Sequence, residues 1–243
     1  MSKKNRATDR ASRAAAALEE QQRQERRRRN TMVGGVVIGV VVIVLAGWLL
    51  SRSLDSTKDV DAPAAGSEFG LTVGPDDAAD KVVVYEDFLC PYCGHFEEAS
   101  RDGLRQLAAD GKVQVEYRPI NFLSSLGDYS ERSATAFAVV LDTAGADVAM
   151  RFHDLLFENQ PSERGPFPTN DDLVDLAGEA GADKAEIRTA IENGDGKDWV
   201  DRATQSAAAA GVSGTPTVLL NGEVFQDGRT QRQIAENLIN AIG

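Results

Sequence analysis

The stretch Val82-Val83-Val84-Tyr85-Glu86-Asp87-Phe88-Leu89-Cys90-Pro91-Tyr92-Cys93 constrains this chain more than any other. It holds the only two cysteines among 243 residues, separated by two positions. An apolar, β-branched run precedes them and a helical pattern follows. A strand that ends in Cys-x-x-Cys and turns into a helix places a thiol at a helix N-terminus. Unpaired N–H groups and the positive end of the helix dipole favour an anion there. Such a site lowers a cysteine pKa from its free value of about 8.5 and produces the reactive thiolate. Pro91 suits the first helical turn, where its missing N–H costs nothing. The local reading is a redox dithiol, with Cys90 as exposed nucleophile and Cys93 as resolving thiol.

Three other uses of a cysteine pair are poorer fits. Zinc needs four ligands, and beyond this pair the chain offers only His95 and His153 from its histidines. Haem attachment needs histidine directly after the second cysteine, where Gly94 stands. A purely structural bridge across two residues would restrain the unfolded chain very little. The expectation is therefore no metal and no cofactor.

Charge is distributed unevenly. Residues 1–30 hold ten Lys/Arg and four acids, a net of +6, so the remaining residues carry −18 of the total −12. An acidic body argues against nucleic acid as a partner, because phosphate binding needs a basic face. The basic segment runs directly into Met32–Leu50, nineteen residues without a charge and with Trp48 near their end. About 20 apolar residues span a bilayer as a helix. Arg26–Arg29 on one flank against Arg52 on the other orient it with the N-terminus in the cytoplasm. A core helix of that length would show a polar face. A cleaved signal would have a shorter apolar region with small residues directly behind it. The expected layout is a loosely ordered basic tail at 1–31, a retained transmembrane helix at 32–50 and a polar linker at 51–68. An extracytoplasmic domain follows at 69–243.

Within that domain, Phe69–Val73 and Lys81–Leu89 read as strands and Pro91–Ala109 as a helix stopped by Asp110-Gly111. Val113–Ile120 alternates Val113, Val115 and Tyr117 with Gln114, Glu116 and Arg118, the pattern of a half-buried strand. Strand, helix and strand make a βαβ unit with a parallel pair. About 128–210 is then helical throughout: Tyr129–Ala144, Asp147–Asn159, Asp171–Ala180, Lys184–Glu192 and Lys197–Ala210. Thr169 or Asn170 and Asp183 are the candidate caps. The sheet resumes at Thr215–Asn221, turns through Asn221-Gly222 and returns at Glu223–Gln226. Gln231–Ala241 closes the chain as a helix.

Two motifs in this order carry a family resemblance. Glu86-Asp87-Phe88-Leu89-Cys90-Pro91-Tyr92-Cys93 resembles the active-site strand and helix start of the DsbA-like thiol–disulfide oxidoreductases of the thioredoxin superfamily. Gly211-Val212-Ser213-Gly214-Thr215-Pro216-Thr217 resembles their loop with a cis-proline facing the dithiol. The helical insertion between the motifs separates DsbA-like members from plain thioredoxins, and the resemblance covers about 69–243. The anchored form is similar to membrane-tethered relatives of Gram-positive, particularly actinobacterial, cells.

The resemblance implies an α/β, thioredoxin-like fold with a helical insertion. It implies thiol–disulfide exchange with secreted or cell-envelope proteins, Thr215 and Pro216 as substrate contacts and Pro91 and Tyr92 as active-site support. A separate membrane redox partner would restore the dithiol. The superfamily often has a buried acid six residues before the first cysteine, and here that position is Val84. Glu86 shares the strand parity of Val84 and can supply a proton relay, or else it is a solvated strand-end acid. His95, two residues beyond Cys93, can tune the thiolate or simply sit exposed on the helix. Oxidation of clients is favoured by the compartment. The rivals are a reductase or isomerase on the same fold, or a tethered binding protein with an idle dithiol.

Overall fold

The computed structural model describes Val60 and residues 68–243. The tail and the apolar run at 32–50 lie outside the described residues, and among those that are described no helix is long and apolar enough to cross a membrane. Five strands and seven α-helices follow in the order β1 (Leu71–Val73), β2 (Asp80–Glu86), α1 (Pro91–Ala109), β3 (Val113–Pro119), α2 (Tyr129–Ala144), α3 (Ala146–Glu158), α4 (Asn170–Ala180), α5 (Lys184–Asn193), α6 (Lys197–Ala209), β4 (Thr217–Leu220), β5 (Glu223–Val224) and α7 (Gln231–Ile242). A short 3₁₀ turn, Ser124–Leu126, precedes α2. The sheet order is β1-β3-β2-β4-β5. β2 and β3 are parallel, as the βαβ reading requires, and the other neighbours are antiparallel.

Strand parity sorts the side chains of β2. Val82 and Val84 face a core built from Phe96, Leu104 and Leu107 of α1, Val113, Val115 and Tyr117 of β3, and Ala235 and Leu238 of α7. Val83 and Tyr85 face the opposite layer, where Ala203 and Ala207 of α6, Val212 and Leu219 meet them. This second layer corrects the expectation for β3. Its alternate residues Gln114, Glu116 and Arg118 are buried as well. Arg118 donates from Nε to Glu116 (2.7 Å) and from Nη1 to the Tyr85 hydroxyl (2.6 Å), so the charges are paired rather than solvated.

The insertion forms its own core. Phe137 and Val140 of α2, Phe152 and Leu156 of α3, Leu173 and Val174 of α4 and Ile187 of α5 are fully or almost fully enclosed. Phe88, Leu89 and both cysteines belong to the same cluster. Two of its helices begin at side-chain caps. Thr169 and Asp172 form a reciprocal capping box at α4, and the Asp183 side chain accepts from Ala185 and Glu186 N–H at α5.

Every strand is shorter than its sequence reading: β1 starts at Leu71 rather than Phe69, β3 ends at Pro119 rather than Ile120, and β5 ends at Val224 rather than Gln226. β2 ends at Glu86 rather than Leu89, because Asp87 folds the chain back. Its carbonyl accepts from Cys90 N–H (2.9 Å) and its side chain from Leu89 N–H (2.8 Å). β4 starts at Thr217 rather than Thr215, since Pro216 has no N–H and the Thr217 hydroxyl turns back to the Gly214 carbonyl (2.7 Å). The β4–β5 hairpin turns at Asn221 (φ 54°) and Gly222 (φ 87°), the left-handed pair a two-residue hairpin loop prefers.

Candidate active site

The dithiol lies where β2 passes into α1. Cys90 is the N-cap residue, extended at φ −76° and ψ 115°, with Pro91 in the first helical turn. Both thiols are free. The loop before β4 lies against them: the Thr215–Pro216 peptide is cis, and the Cys90 thiol is 3.3 Å from the Thr215 carbonyl. Two motifs separated by more than a hundred residues thus meet at one sulfur.

The two thiols are strongly unlike. Chief among the influences on Cys90 is a hydrogen bond from the Cys93 thiol. Burial opposes it, and a hydrogen bond with Thr215 and the backbone N–H groups of Cys93 and Tyr92 reinforce it, so the Cys90 pKa is lowered to about 6. Burial pushes Cys93 well above its ordinary value, and the neighbouring Cys90 and Glu86 add to the rise. The expected exposure contrast is smaller than the sequence suggests. Cys90 is only 4% exposed and Cys93 1%, because Phe88, Leu89 and the insertion helices close over the strand end. Hydrogen bonding lowers the nucleophile and burial raises the resolving thiol, so the two effects together separate them. Tyr92 points outward and is 62% exposed.

Asp87 organises the loops around the pair. Its carboxylate is buried and accepts from Leu89, Phe122 and Leu123 N–H (each 2.8 Å) and from the Ser130 hydroxyl (2.5 Å). Gln160, just beyond α3, donates its side-chain amide to the carbonyls of Phe88 and Cys90 (both 3.0 Å). The insertion is thereby hydrogen-bonded to the backbone of the nucleophile itself. Sequence reading missed both residues: a lone Gln after a helix carries no local signal, and Asp87 was visible only as part of a motif.

Glu86 is not a solvated strand-end acid. It is wholly buried, on the α1 side of the sheet, and His153 Nε2 lies 2.7 Å from its Oε1. His153, which entered the sequence reading only as a conceivable zinc ligand, is enclosed by Phe88, Tyr117, Phe137 and Phe157. Burial works against its charge, but Glu86 and Asp154 outweigh burial and hold the imidazole pKa up at about 10. Glu97 of α1 is also wholly buried, and burial together with Glu86 raises its pKa to about 8. Glu86, Glu97 and His153 each bring one donor atom to within 4.8 Å of the others, the one such grouping among the described residues. Glu86 and His153 already satisfy each other across their short contact. His95, by contrast, is exposed and lines a shallow recess with Glu98, Asp102 and Glu158, away from the buried acids.

A thiolate-prone cysteine at a helix N-terminus, a resolving thiol three residues on and a cis-proline loop against the sulfur define a protein thiol–disulfide oxidoreductase of thioredoxin-like fold. The comparisons agree. A family model described as Thioredoxin matches residues 67–240. A probable disulfide bond formation protein D of Bacillus cereus is 29% identical over 156 residues, 63% of this chain and 70% of its own length. The structure of the disulfide bond oxidoreductase DsbG of Mycobacterium tuberculosis superposes with a TM-score of 0.61 at 31% identity, over 77% of this chain and 92% of that one. Bacillus subtilis BdbD, at 21% identity, shares the fold with a TM-score of 0.65 over 75% of this chain and 97% of its own. The chain belongs to the thioredoxin family, as one of its DsbA-like thiol–disulfide oxidoreductases.

Proposed function

We propose that this protein forms disulfides in secreted or cell-envelope proteins outside the cytoplasm, held to the membrane by the apolar run at 32–50. The geometry that carries this reading is Cys90 at the start of α1 beside the cis Thr215–Pro216 loop, where the hydrogen bond from Cys93 favours its thiolate. A thiolate stabilised by its surroundings favours the dithiol over the disulfide. The oxidised protein is then a strong acceptor of electrons from client thiols. A client thiolate attacks Cys90 Sγ, the Cys90–Cys93 bond breaks and Cys93 leaves. A second client thiolate attacks its own sulfur in the mixed disulfide and releases Cys90 with both electrons. The client leaves oxidised and the protein reduced, to be reoxidised by a separate membrane partner.

The surroundings of Cys90 support binding of an extended client segment. The Thr215 backbone can pair with a client chain as an added strand, independent of client sequence. Among the described residues the large apolar side chains that remain exposed are Tyr92, Phe122 and Leu126; Tyr92 lies between the cysteines, and Phe122 N–H bonds Asp87. His95 and Pro91 complete the rim of the helix start.

The deciding experiment equilibrates the protein against glutathione and assays it on a reduced, unfolded secretory substrate and on insulin. The reading requires a potential more oxidising than the glutathione couple and net oxidation of the substrate. A more reducing potential with efficient insulin reduction would make the protein a reductase instead.

A further inference from the structure

The backbone around the nucleophile is held by two residues of very different origin. Asp87, three positions upstream, takes the N–H groups. Its carbonyl accepts from Cys90 (2.9 Å) and its carboxylate from Leu89 (2.8 Å). The carbonyls of Phe88 and Cys90 both accept from Gln160 Nε2, at 3.0 Å each, although Gln160 stands seventy positions from Cys90. A primary amide carries two N–H donors on one nitrogen, so a single glutamine closes both bonds at once. Two carbonyl partners also fix which end of the amide is nitrogen, since its oxygen has nothing to accept from them. That oxygen lies beside Gly94 of α1, where a Cβ would come within 2.5 Å of it.

The other polar links between α3 and the strand–helix unit of the dithiol leave Cys90 alone. His153 meets Glu86, Asp154 meets Arg101 and Arg105, and Glu158 meets Arg101. The groups that hold the Cys90 sulfur come from elsewhere. They are the Cys93 thiol, the N–H groups of Tyr92 and Cys93, and Thr215 of the cis-proline loop. Hydrogen bonds weaken steeply as their angles close. Cys90 therefore keeps all of these partners only while its backbone holds the extended N-cap conformation, φ −76° and ψ 115°.

We propose that Gln160 is a positioning residue for the redox reaction: by holding the carbonyls of Phe88 and Cys90 it keeps Cys90 turned toward Cys93 and Thr215, and so sets how oxidising the dithiol is. It is bonded to the backbone of the nucleophile and acts on the sulfur through it. Two client thiols give up two electrons and two protons in the reaction. The electrons break the Cys90–Cys93 bond, one proton goes to Cys93 and the other to water, and the charge stays on Cys90 Sγ. The better that charge is held, the more the reduced form is favoured and the stronger an oxidant the disulfide becomes. The inference rests on thiol–disulfide exchange at Cys90 as proposed above.

The test compares full chains of the wild type, Gln160→Ala, Gly94→Ala, the double variant and Glu158→Gln. Each is titrated by the ultraviolet absorbance of its thiolate, equilibrated with glutathione and unfolded in urea. Gln160→Ala should move the half-titration of Cys90 upward from about 6. It should also make the protein about tenfold less oxidising against glutathione, the scale of one hydrogen bond, with its urea midpoint kept. Gly94→Ala should shift both readouts in the same direction. The double variant should go no further than Gln160→Ala alone, because both changes act through one clamp. Glu158→Gln cuts an exposed bond between α3 and α1 and should leave both readouts at their wild-type values. An unshifted titration and equilibrium in Gln160→Ala overturn the proposal. So do additive shifts in the double variant, equal shifts in Glu158→Gln, or shifts that come only with a collapsed urea midpoint. Should Gln160→Ala fail to fold, Gly94→Ala decides, and wild-type readouts there overturn it. A wild type that does not equilibrate with glutathione would instead defeat the underlying exchange reading.

Discussion

Cys90 and Cys93 have the same side chain and opposite surroundings, and that difference carries the chemistry. Alkylation of reduced Cys90 should rise with pH to half its maximum near 6, while Cys93 stays unreactive through neutrality. Cys93→Ala should accumulate mixed disulfides with clients on a non-reducing gel, and Cys90→Ala should accumulate none. Equal trapping by both would remove the assignment. The buried charges below the dithiol set the pH dependence of stability. The folded pKa of His153, about 10, lies above its ordinary 6.5. Its contribution is complete below the lower value and is lost as pH rises through the upper one. Glu97 acts in the same direction, since a carboxyl raised from 4.5 to about 8 destabilises the fold as pH climbs between those values. Urea midpoints should therefore fall from mildly acidic to alkaline pH, and Glu97→Gln should flatten the lower part of that slope. His153→Ala leaves Glu86 buried and unpaired and should cost about 3–5 kcal/mol.

At the level of elements, the insertion is more than a cover. Gln160 at the end of α3 holds the carbonyls of Phe88 and Cys90. Gln160→Ala should slow client oxidation several-fold while leaving the unfolding midpoint within about 1 kcal/mol of wild type, because only one neutral side chain's bonds are lost. A Cβ at Gly94 would stand 2.5 Å from the Gln160 side-chain oxygen, so Gly94→Ala should displace the same clamp and give a similar activity loss. Asp87 is a stability residue as well as a motif residue. Its carboxylate joins the β2 turn to the Phe122 loop and to Ser130 of α2, and Asp87→Ala should cost about 1.5–3 kcal/mol in denaturant unfolding. At α4, Thr169→Ala removes half of a capping box and should cost about 1 kcal/mol.

For the whole molecule, the open prediction is topology. With the basic run Arg26–Arg29 ahead of Met32–Leu50, a reporter fused after Gly243 should be active only if it folds outside the cytoplasm. Activity of a cytoplasm-only reporter at that position would reverse the arrangement. Much of the domain was legible locally. Pro91–Ala109 and Tyr129–Ala144 match their expected bounds, α3 is shifted by one residue at both ends and the remaining helices differ by one residue at one end, because caps, glycines and apolar periodicity are written in neighbouring residues. Cys90-Pro91-Tyr92-Cys93 could be read the same way, since a strand-to-helix switch and a two-residue spacing are one-dimensional facts. Contacts between distant segments were not legible. Nothing near Glu86 in sequence announces His153, sixty-seven positions away, and nothing near Gln114 or Arg118 announces the layer that buries them. The sequence by itself determined the dithiol, the order of strands and helices and the apolar faces, because these follow from backbone preference and local periodicity. Only the tertiary structure decided that Cys90 is nearly enclosed, that Glu86 is half of an ion pair and that Glu97 is buried within 4.8 Å of that pair. Burial and charge pairing depend on which distant side chains the packing brings together.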